Sequence, residues 1–409
     1  MHTTVGIIGA GPAGLLLARL LHQEGIDSVV LEARDREYVE QRQRAGILEQ
    51  VTVDALRGAG AGERMDREGI VHHGIELRFG GRSHRVDFAD LASGRGVMVY
   101  AQTEMVKDLI ALRLADREPL SFEAEVHKVE AEGVDADHVT VHYRHEGREQ
   151  ILTCDWAVGC DGFYGVTKNA IPESLRRTFE RTYPYSWLGV LAAAPPVYDE
   201  LIYAHSDRGF ALASMRSATV SRLYLQVPNG TAPTDWPDEQ IWAELDRRFA
   251  LGHDPAWKLT RGPITAKSVL PMRSHVTEPM RHGRILLAGD AAHIVPPTGA
   301  KGLNLATGDV IILARALTHL KHTGSTELLD AYSETCLERV WRAEHFSYFM
   351  TTTLHTDPDQ SAFDTRLQLS QLARIASSRN AAAELAQNYV GVPIPGRPPG
   401  SRTGCRHRW

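Results

Sequence analysis

The stretch VGIIGAGPAGLLLARLL, residues 5–21, decides the fold of this chain. Its first four residues form an apolar strand pattern, and a helical pattern follows to about Gln23. Three glycines at G-x-G-x-x-G spacing lie where the two patterns meet: Gly9, Gly11 and Gly14. A second apolar stretch, residues 28–31, ends in Glu32. This order of strand, glycine turn, helix, strand and acid predicts a Rossmann-like βαβ unit that binds a dinucleotide.

The glycines and the acid have separate roles in such a unit. Glycine lets the backbone approach a pyrophosphate, whose negative charge the helix N-terminus stabilises, and Glu32 can accept hydrogen bonds from a ribose. FAD and NAD sites share this fingerprint, so it does not choose between them. The alternative for the motif alone is a tight strand-to-helix turn without a ligand.

Composition and charge are those of a soluble protein with a sizeable core. The 409 residues are 43% hydrophobic and carry a net charge of -6 without blocks of like charge. We therefore expect two or three folding units and neither nucleic acid nor a membrane surface as a partner. No signal peptide, bilayer-spanning stretch or C-x-x-C pair is visible among the cysteines, which are Cys154, Cys160, Cys336 and Cys405. These features predict a cytoplasmic protein without a metal.

Two later strand patterns also end in an aspartate. WAVGC (156–160) is followed by Asp161, and RILLA (284–288) is followed by a Gly-Asp pair at 289–290. Open α/β sheets bind ligands at the carboxyl ends of their strands. PPTGAKGLN (296–304) then leads into a long helical pattern with one apolar face. The N-terminus of this helix is predicted to point into the crevice and to stabilise negative charge there.

Six motifs give the sequence a resemblance to a known family. They are GIIGAGPAGLLLARLLHQEGID (6–27), RAGILEQ (44–50), GCDGFYG (159–165), ELIYAHSDRGFALASMRSAT (200–219), GDAAHIVPPTGAKGLNLA (289–306) and QNYVGVP (387–393). From about residue 4 to 393 the chain resembles the single-component flavoprotein aromatic hydroxylases, and within them the enzymes that act on 4-hydroxybenzoate. The resemblance implies an FAD-dependent monooxygenase that forms 3,4-dihydroxybenzoate through a flavin C4a-hydroperoxide. It also implies non-covalent FAD, molecular oxygen, NADPH or NADH as a transient electron donor, and a homodimer.

The patterns and the resemblance together give the expected architecture. The fold class is α/β, with a Rossmann-like FAD-binding domain, a second, largely antiparallel β-sheet domain for the substrate, and C-terminal helices. The expected boundaries are 1–178 for the first part of the FAD-binding domain with inserted strands at about 74–100, 179–268 for the substrate domain, 269–320 for the second part of the FAD-binding domain, 321–392 for the helical region, and 393–409 for a disordered tail.

Alternating polar residues on two predicted strands suggest a carboxylate receptor. In GFALASMR (209–216), Ser214 and Arg216 share one face, and in the next strand Arg222 and Tyr224 share one face. A guanidinium binds a carboxylate at two points and hydroxyls can complete its oxygens, although a solvated sheet face is the default for such alternation. The resemblance implies that Ser214, Arg216 and Tyr224 hold the benzoate carboxylate.

The resemblance also implies a proton relay and a loop that contacts the substrate. Tyr203 would hydrogen-bond the substrate phenol, Tyr389 would be the second tyrosine of the relay, and His72 would be its solvent-side end. Pro297 would offer its carbonyl near the substrate hydroxyl, with Thr298 beside it.

The remaining implied contacts belong to the two cofactors. For FAD they are Gly9, Gly11, Gly14, Glu32, Arg44, Gln102, Asp161, Arg222, Asp290, Leu303 and Asn304. Only one glycine fingerprint follows a strand, so NAD(P)H is expected to dock transiently on segment 33–44, with Arg34, Tyr38 and Arg42 as candidates. The acids within that segment leave the choice between NADPH and NADH open.

Two other functions stay open at the level of sequence. The substrate could be another para-substituted benzoate such as 4-aminobenzoate, or the chain could be a flavin-binding redox sensor that has lost catalysis. The intact set of Tyr203, Arg216, Pro297 and Tyr389 argues against a sensor, because binding alone needs none of that chemistry.

Overall fold

The computed structural model describes residues 1–42, 46–131, 133, 136–391 and 393–394. In chain order the strands are β1 (His2–Ile8), β2 (Ser28–Leu31), β3 (Ile47–Leu48), β4 (Ile70–His72), β5 (Gly74–Phe79), β6 (Arg82–Asp87), β7 (Val97–Val99), β8 (Leu120–Ser121), β9 (Glu125–Glu130), β10 (Val139–His145), β11 (Arg148–Gly159), β12 (Arg177–Ala192), β13 (Leu201–Ala204), β14 (Ala211–Ser217), β15 (Val220–Pro228), β16 (Ile264–Glu278), β17 (Arg281–His282), β18 (Ile285–Leu287) and β19 (His293–Ile294). The α-helices are α1 (Pro12–Gln23), α2 (Arg36–Gln41), α3 (Gln50–Gly58), α4 (Glu63–Glu68), α5 (Phe88–Leu91), α6 (Gln102–Ala115), α7 (Asp238–Arg248), α8 (Gly302–Thr323), α9 (Glu327–Asp330), α10 (Tyr332–Leu354), α11 (Ala362–Ser377) and α12 (Arg379–Val390).

The first sheet contains the predicted nucleotide-binding unit. Its strand order is β17-β18-β11-β1-β2-β8, with β10 and β9 continuing from β11. Strand β1 is parallel to β2 and to β11, and β11 is parallel to β18. Ile8 lies between Leu31 and Gly159, and Gly159 lies beside Leu287, so the carboxyl ends of these four strands meet at one edge. The Rossmann-like part of the predicted fold is confirmed.

Helix α1 shows why the opening stretch folds as it does. Pro12 begins the helix, where its fixed φ suits the first turn. The helix packs against α6 and α8 and buries most of its leucines, namely Leu15, Leu16, Leu17 and Leu21. Complete burial of one leucine side chain stabilises a fold by about 1.5–3 kcal/mol. These leucines therefore fix the helix, and with it the glycine turn, against the sheet.

The second sheet is largely antiparallel, as predicted. Its order is β19-β16-β12-β15-β14-β13-β5-β6, and β13 pairs with β5 in parallel. Successive residues of β14 face opposite sides. Leu212 joins a core with Met350 and Leu385 of the C-terminal helices, whereas Ala211 joins a core with Leu245 of α7. The side chains of Tyr203 and its neighbours therefore lie between this sheet and the C-terminal helices.

The sheets cross the expected domain boundaries at three places. The boundaries at 178/179 and 268/269 fall inside β12 and β16. The strands at 74–79 and 82–87 pair with the second sheet although they were assigned to the FAD-binding part. Strands β5 and β6 belong to the second sheet because β5 pairs in parallel with β13. The division into domains stays a prediction, and all but two residues of the expected disordered tail, 393–409, lie outside the described residues.

The described residues contain neither a membrane-spanning helix nor a cluster of metal-ligating side chains. None of the helices there combines the length and apolar character needed to cross a bilayer. No group of three or more histidine, cysteine, aspartate or glutamate side chains in the described part of the chain could hold a metal ion.

Candidate active site

The glycine turn after β1 is shaped for close approach by a ligand. Gly9 has φ +104, and a Cβ there would clash with the carbonyl oxygen of Cys160. A Cβ on Gly14 would clash with the carbonyl oxygen of Gly9, so the third glycine allows the helix to pack on the turn. A Cβ on Gly11 would meet no atom within 4 Å, so this glycine faces open space. These three environments fit the tight turn, the helix packing and the pyrophosphate approach of a dinucleotide site.

Glu32 lies against this turn. Its Oε2 accepts a hydrogen bond from the Ala10 N–H at 2.7 Å, and its Oε1 accepts one from the Arg34 N–H at 2.9 Å. The carboxylate is half-buried at the carboxyl end of β2. The structure thus places Glu32 beside the backbone that would approach the cofactor, where the sequence predicted it.

The two strand-end aspartates have different environments. Asp161 Oδ2 accepts hydrogen bonds from Thr167 N at 2.9 Å and from Thr167 Oγ1 at 2.8 Å, and burial raises the pKa of Asp161. Its Oδ1 is buried without a hydrogen-bond partner among the described residues. Asp290 is half-exposed in a one-turn 3₁₀ helix, Gly289–Ala291, after β18. Asp161 therefore braces its own loop with one oxygen and keeps only the other for a ligand.

The PPTGAKGLN loop turns sharply before α8. The Ala300 N–H donates to the Pro297 carbonyl at 3.0 Å, and Ala300 has φ +54, in the left-handed region. The carbonyl of Pro297 retains a second lone pair for a substrate hydroxyl. Thr298 is fully buried, and its hydroxyl accepts a hydrogen bond from Thr351 Oγ1 at 3.0 Å. The side chain of Thr298 is therefore held by α10, and its hydroxyl keeps its own proton to donate to another group.

The side-chain amide of Asn304 is fully hydrogen-bonded within the protein. Its Oδ1 accepts from the Glu49 N–H at 2.9 Å and from Thr52 Oγ1 at 2.8 Å. Its Nδ2 donates to the carbonyls of Ile47 and Ala300 at 3.0 and 2.9 Å. Because these bonds occupy the whole amide, Asn304 can meet a flavin ring only through its backbone. Its side chain instead ties the start of α8 to segment 47–52.

A buried ion pair beside this helix start was missed by the sequence analysis. Lys301 Nζ donates to Glu49 Oε1 at 2.6 Å and to the Tyr389 carbonyl at 2.9 Å. Burial lowers the pKa of Lys301, and the Glu49 carboxylate opposes that shift. Leu303, two residues after Lys301, is buried with 7% of its surface exposed. The lysine in PPTGAKG and the glutamate in RAGILEQ were visible in the sequence, but nothing in either motif indicates that they meet.

The residues of the predicted carboxylate receptor lie close together on the second sheet. Tyr224 pairs with Leu212, and Arg222 pairs with Ser214 on the neighbouring strand. Arg222 Nε donates to Tyr224 Oη at 2.8 Å. Burial lowers the pKa of Arg216, and a hydrogen bond with Tyr224 opposes that shift. A guanidinium in this setting gains more than a solvated one from a carboxylate partner.

Two further residues complete the surroundings of Arg216. A Cβ on Gly46 would clash with Arg216 Nη1, and the same point lies 3.7 Å from Ala101 Cα. Gln102, an expected FAD contact, follows Ala101 as the first residue of α6. The structure therefore brings Gln102 to the edge of the arginine site. Arg44, which precedes Gly46 by two residues, lies outside the described residues.

The two relay tyrosines are in direct contact. Tyr203 Oη and Tyr389 Oη are 2.6 Å apart, and each side chain is 1% exposed. Burial raises the pKa of both phenols. Tyr203 pairs with Leu212 on β14, so it shares a sheet face with Ser214 and Tyr224. The distance and the shared face fit a proton relay that starts at the substrate face.

His72, the expected solvent-side end of the relay, is not exposed to solvent, and its role in the relay stays a prediction. It is fully buried in β4, which pairs with β7 in a small sheet completed by β3. Burial lowers the pKa of His72 to about 4, so the ring is neutral at pH 7. Neither ring nitrogen has a hydrogen-bond partner among the described residues. The side chain thus offers a free acceptor, although no hydrogen bond joins it to Tyr389.

The candidate NAD(P)H dock is exposed, as transient binding requires. The guanidinium groups of Arg34 and Arg42 lie 5.4 and 5.7 Å from the centre of the Tyr38 ring. In helix α2, which contains Tyr38, Arg36 Nε forms an ion pair with Glu40 Oε1 at 2.6 Å. Two arginines around one exposed tyrosine form a surface suited to a phosphate-bearing, aromatic ligand.

Comparisons with known proteins identify the family of this chain. Residues 2–347 match the protein family described as FAD binding domain. The p-hydroxybenzoate hydroxylase of Acinetobacter baylyi (strain ATCC 33305 / BD413 / ADP1) is 48% identical over 394 residues, covering 96% of this chain and 96% of that protein. The 3-(3-hydroxy-phenyl)propionate/3-hydroxycinnamic acid hydroxylase of Escherichia coli O8 (strain IAI1) is 27% identical, covering 81% of this chain and 58% of that protein. The crystal structure of p-nitrophenol 4-monooxygenase from Pseudomonas putida DLL-E4 has a TM-score of 0.81 at 20% identity, covering 96% of this chain and 100% of that one, and shows the shared fold.

Proposed function

Because this chain belongs to the FAD binding domain family and is a flavoprotein monooxygenase that uses FAD and NAD(P)H, we propose that it hydroxylates 4-hydroxybenzoate to 3,4-dihydroxybenzoate. The observation that carries the proposal is the buried pair Tyr203 and Tyr389, whose hydroxyls are 2.6 Å apart. Tyr203 lies on the sheet face that also carries Ser214 and Tyr224, and Tyr389 reaches it from helix α12. A carboxylate receptor and a phenol relay on one face match an aromatic acid with a hydroxyl group.

The strand register supports a para arrangement of the two substituents. Leu212 pairs with Tyr203, and Ser214 follows two residues later on the same face of β14. Two residues of a strand span about 7 Å. This is about the separation of two para substituents across a benzene ring. A carboxylate at Ser214 and Arg216 therefore leaves the opposite ring position near Tyr203.

Each residue then has a defined task. Arg216, Ser214 and Tyr224 orient the carboxylate. The Pro297 carbonyl lies near the substrate hydroxyl, whose single proton is directed at Tyr203 Oη. FAD, once bound and reduced by NAD(P)H, would activate molecular oxygen, so that one oxygen atom enters the ring and the other leaves as water. Because burial keeps Tyr203 protonated, it can accept the phenol proton only as its own proton passes to Tyr389 Oη, and the Tyr389 proton then leaves toward His72 and solvent. The relay makes the ring electron-rich without opening the site to water.

A coupled turnover assay tests the proposal. Purified holoenzyme is supplied with NADPH or NADH and with 4-hydroxybenzoate, and product formed is compared with NAD(P)H consumed. We expect substrate-stimulated oxidation and nearly one dihydroxybenzoate per NAD(P)H. 3-Hydroxybenzoate is the matched control, because it has the same groups at the wrong spacing. Equal coupling with both isomers would contradict the para arrangement.

Two alternatives are outcomes of the same assay. Tighter coupling of product to NAD(P)H with 4-aminobenzoate would assign the site to an aromatic amine. The buried tyrosine pair gives no evident advantage for such a substrate, because an aniline ring is electron-rich without losing a proton. A flavin-binding redox sensor would retain FAD but show no substrate-stimulated oxidation. Running the assay with both coenzymes also decides between NADPH and NADH.

Assembly and location are part of the proposal. We propose a homodimer in the cytoplasm, as the family resemblance implies. The described cysteines, Cys154, Cys160 and Cys336, are free thiols, which is compatible with a reducing compartment. Light scattering on the purified enzyme tests the dimer, and a monomeric mass would contradict it.

A further inference from the structure

One buried carboxylate, that of Asp309, accepts hydrogen bonds from the segment that follows β18. Asp309 lies in α8 and is 1% exposed. Its Oδ2 accepts hydrogen bonds from the Gly289 N–H at 2.9 Å and from His293 Nε2 at 2.7 Å. The two bonded residues flank Asp290, the candidate contact of the FAD ribityl chain.

We propose that Asp309 and His293 form a positioning pair that holds Asp290 in place for FAD. Asp290 is half-exposed, whereas both members of the pair are buried behind it. Neither member is placed to touch the cofactor. The inference concerns FAD binding and does not depend on which aromatic acid is hydroxylated.

The turn needs this support because it has little of its own. Gly289 has φ +62, and the 3₁₀ turn is closed by one bond from the Ala292 N–H to the Gly289 carbonyl at 2.8 Å. A Cβ on Gly289 would lie 3.0 Å from Ala306 Cβ, so the turn is pressed against α8. A charged acceptor on that helix forms a stronger bond to the turn than a neutral group would.

Charge makes the pair sensitive to pH. Burial lowers the pKa of His293. The charge of Asp309 and its hydrogen bond to the ring raise this pKa, and the net shift is upward. Asp290 and Glu344 of α10 also favour the charged ring, and burial raises the pKa of Glu344 to about 7. The upward shift therefore favours the imidazolium form of His293, whose charge interacts with both the Asp290 and the Asp309 carboxylates.

Glu344 titrates in the same range as His293, whereas the thiols and the phenol around Asp309 do not. Burial raises the pKa values of Tyr332 and Cys336 well above their usual range, and that of Cys160 is raised as well. Because the pKa of His293 is raised, the charged pair is complete at and below the usual histidine pKa. It is lost as the pH rises through the higher pKa of the folded protein.

Titration of FAD-free protein with FAD, followed by flavin fluorescence, tests the pair at pH 7. Asp309→Asn keeps an acceptor oxygen for Gly289 but removes the charge, and we expect the Kd for FAD to rise about 10- to 100-fold. Glu244→Gln is the matched control, because Glu244 of α7 is also a buried carboxylate, paired with Arg247 of the same helix and with Arg208 before β14. We expect its FAD Kd to match the wild type.

The pH profile separates positioning from general structural support. In the wild type the Kd should rise as the pH is raised above the usual histidine range. In Asp309→Asn that rise should move to lower pH, because burial then dominates the pKa of His293. A wild-type Kd and an unshifted profile would overturn the proposal, and so would an equal loss of affinity in Glu244→Gln.

A second variant keeps the test decisive if Asp309→Asn fails to fold. His293→Gln retains a neutral donor for Asp309 and cannot titrate. We expect weakened FAD binding that no longer changes with pH across the range where the wild type weakens. A wild-type pH profile in His293→Gln would overturn the proposal. Circular dichroism of each FAD-free variant establishes that folded proteins are compared.

Discussion

The glycine turn of the first sheet and the tyrosine pair of the second are built in different ways. Gly9, Gly11 and Gly14 lie within six residues, and their roles depend on a backbone that no side chain obstructs. Tyr203 and Tyr389 are 186 residues apart, and they meet only because the C-terminal helices pack on the second sheet. A local site can be identified from its spacing, whereas an assembled site needs the whole fold.

The largest effect should come from adding a side chain at Gly14, the third glycine of the turn. A Cβ in Gly14→Ala would clash with the Gly9 carbonyl oxygen, so the turn and α1 must separate. We expect little or no folded holoenzyme. Gly11→Ala is the matched control, because its Cβ would enter open space. It should fold normally and bind FAD less tightly. FAD content and thermal unfolding check both, and equal behaviour of the two variants would contradict the assigned geometry.

The next largest effect should come from the tyrosine that faces the substrate. Tyr203→Phe removes the group that accepts the phenol proton, and general-base contributions are about 10²–10⁴-fold. Hydroxylation should fall within that range while FAD content stays normal. NAD(P)H oxidation should continue and yield hydrogen peroxide. The ratio of dihydroxybenzoate to NAD(P)H consumed is the measurement, and full coupling at the wild-type rate would mean that Tyr203 is a packing residue.

A smaller effect is expected at the carboxylate receptor. Arg216→Lys keeps the positive charge but loses the planar two-point contact. We expect the substrate KM to rise about 10- to 100-fold, with unchanged FAD content, since charge-assisted bonds contribute about 1.5–3 kcal/mol. Steady-state kinetics at saturating NAD(P)H measure it. An unchanged KM would remove Arg216 from the receptor.

The two regions also differ in how much the sequence could predict. The fold class, the family and FAD follow from short motifs, and all are confirmed. The orientation of Thr298 and the occupied amide of Asn304 could not be derived, because their partners Thr351 and Glu49 lie far along the chain.

Two further features depended on distant packing in the same way. The pair of Lys301 and Glu49 spans 252 residues, and a sequence pattern carries no information about such contacts. The burial of His72 was missed for a related reason, since its strand is covered by elements that its own three residues do not specify. The roles of the site residues in catalysis stay predictions until the variants are measured.

The smallest effect should come from the second tyrosine of the relay. Tyr389→Phe leaves Tyr203 in contact with the substrate and removes only the next proton acceptor, 2.6 Å further on. A water molecule in the vacated space can bridge the gap at modest cost, so coupling should fall by no more than about tenfold. Lys301 contacts the carbonyl of Tyr389, not its hydroxyl, so the start of helix α8 should keep its position.

If Tyr389→Phe uncouples the enzyme as severely as Tyr203→Phe, the proton has no path except through the pair, and no bridging water forms. If it has no effect at all, the proton leaves Tyr203 by another route, and Tyr389 serves only to pack against Phe88.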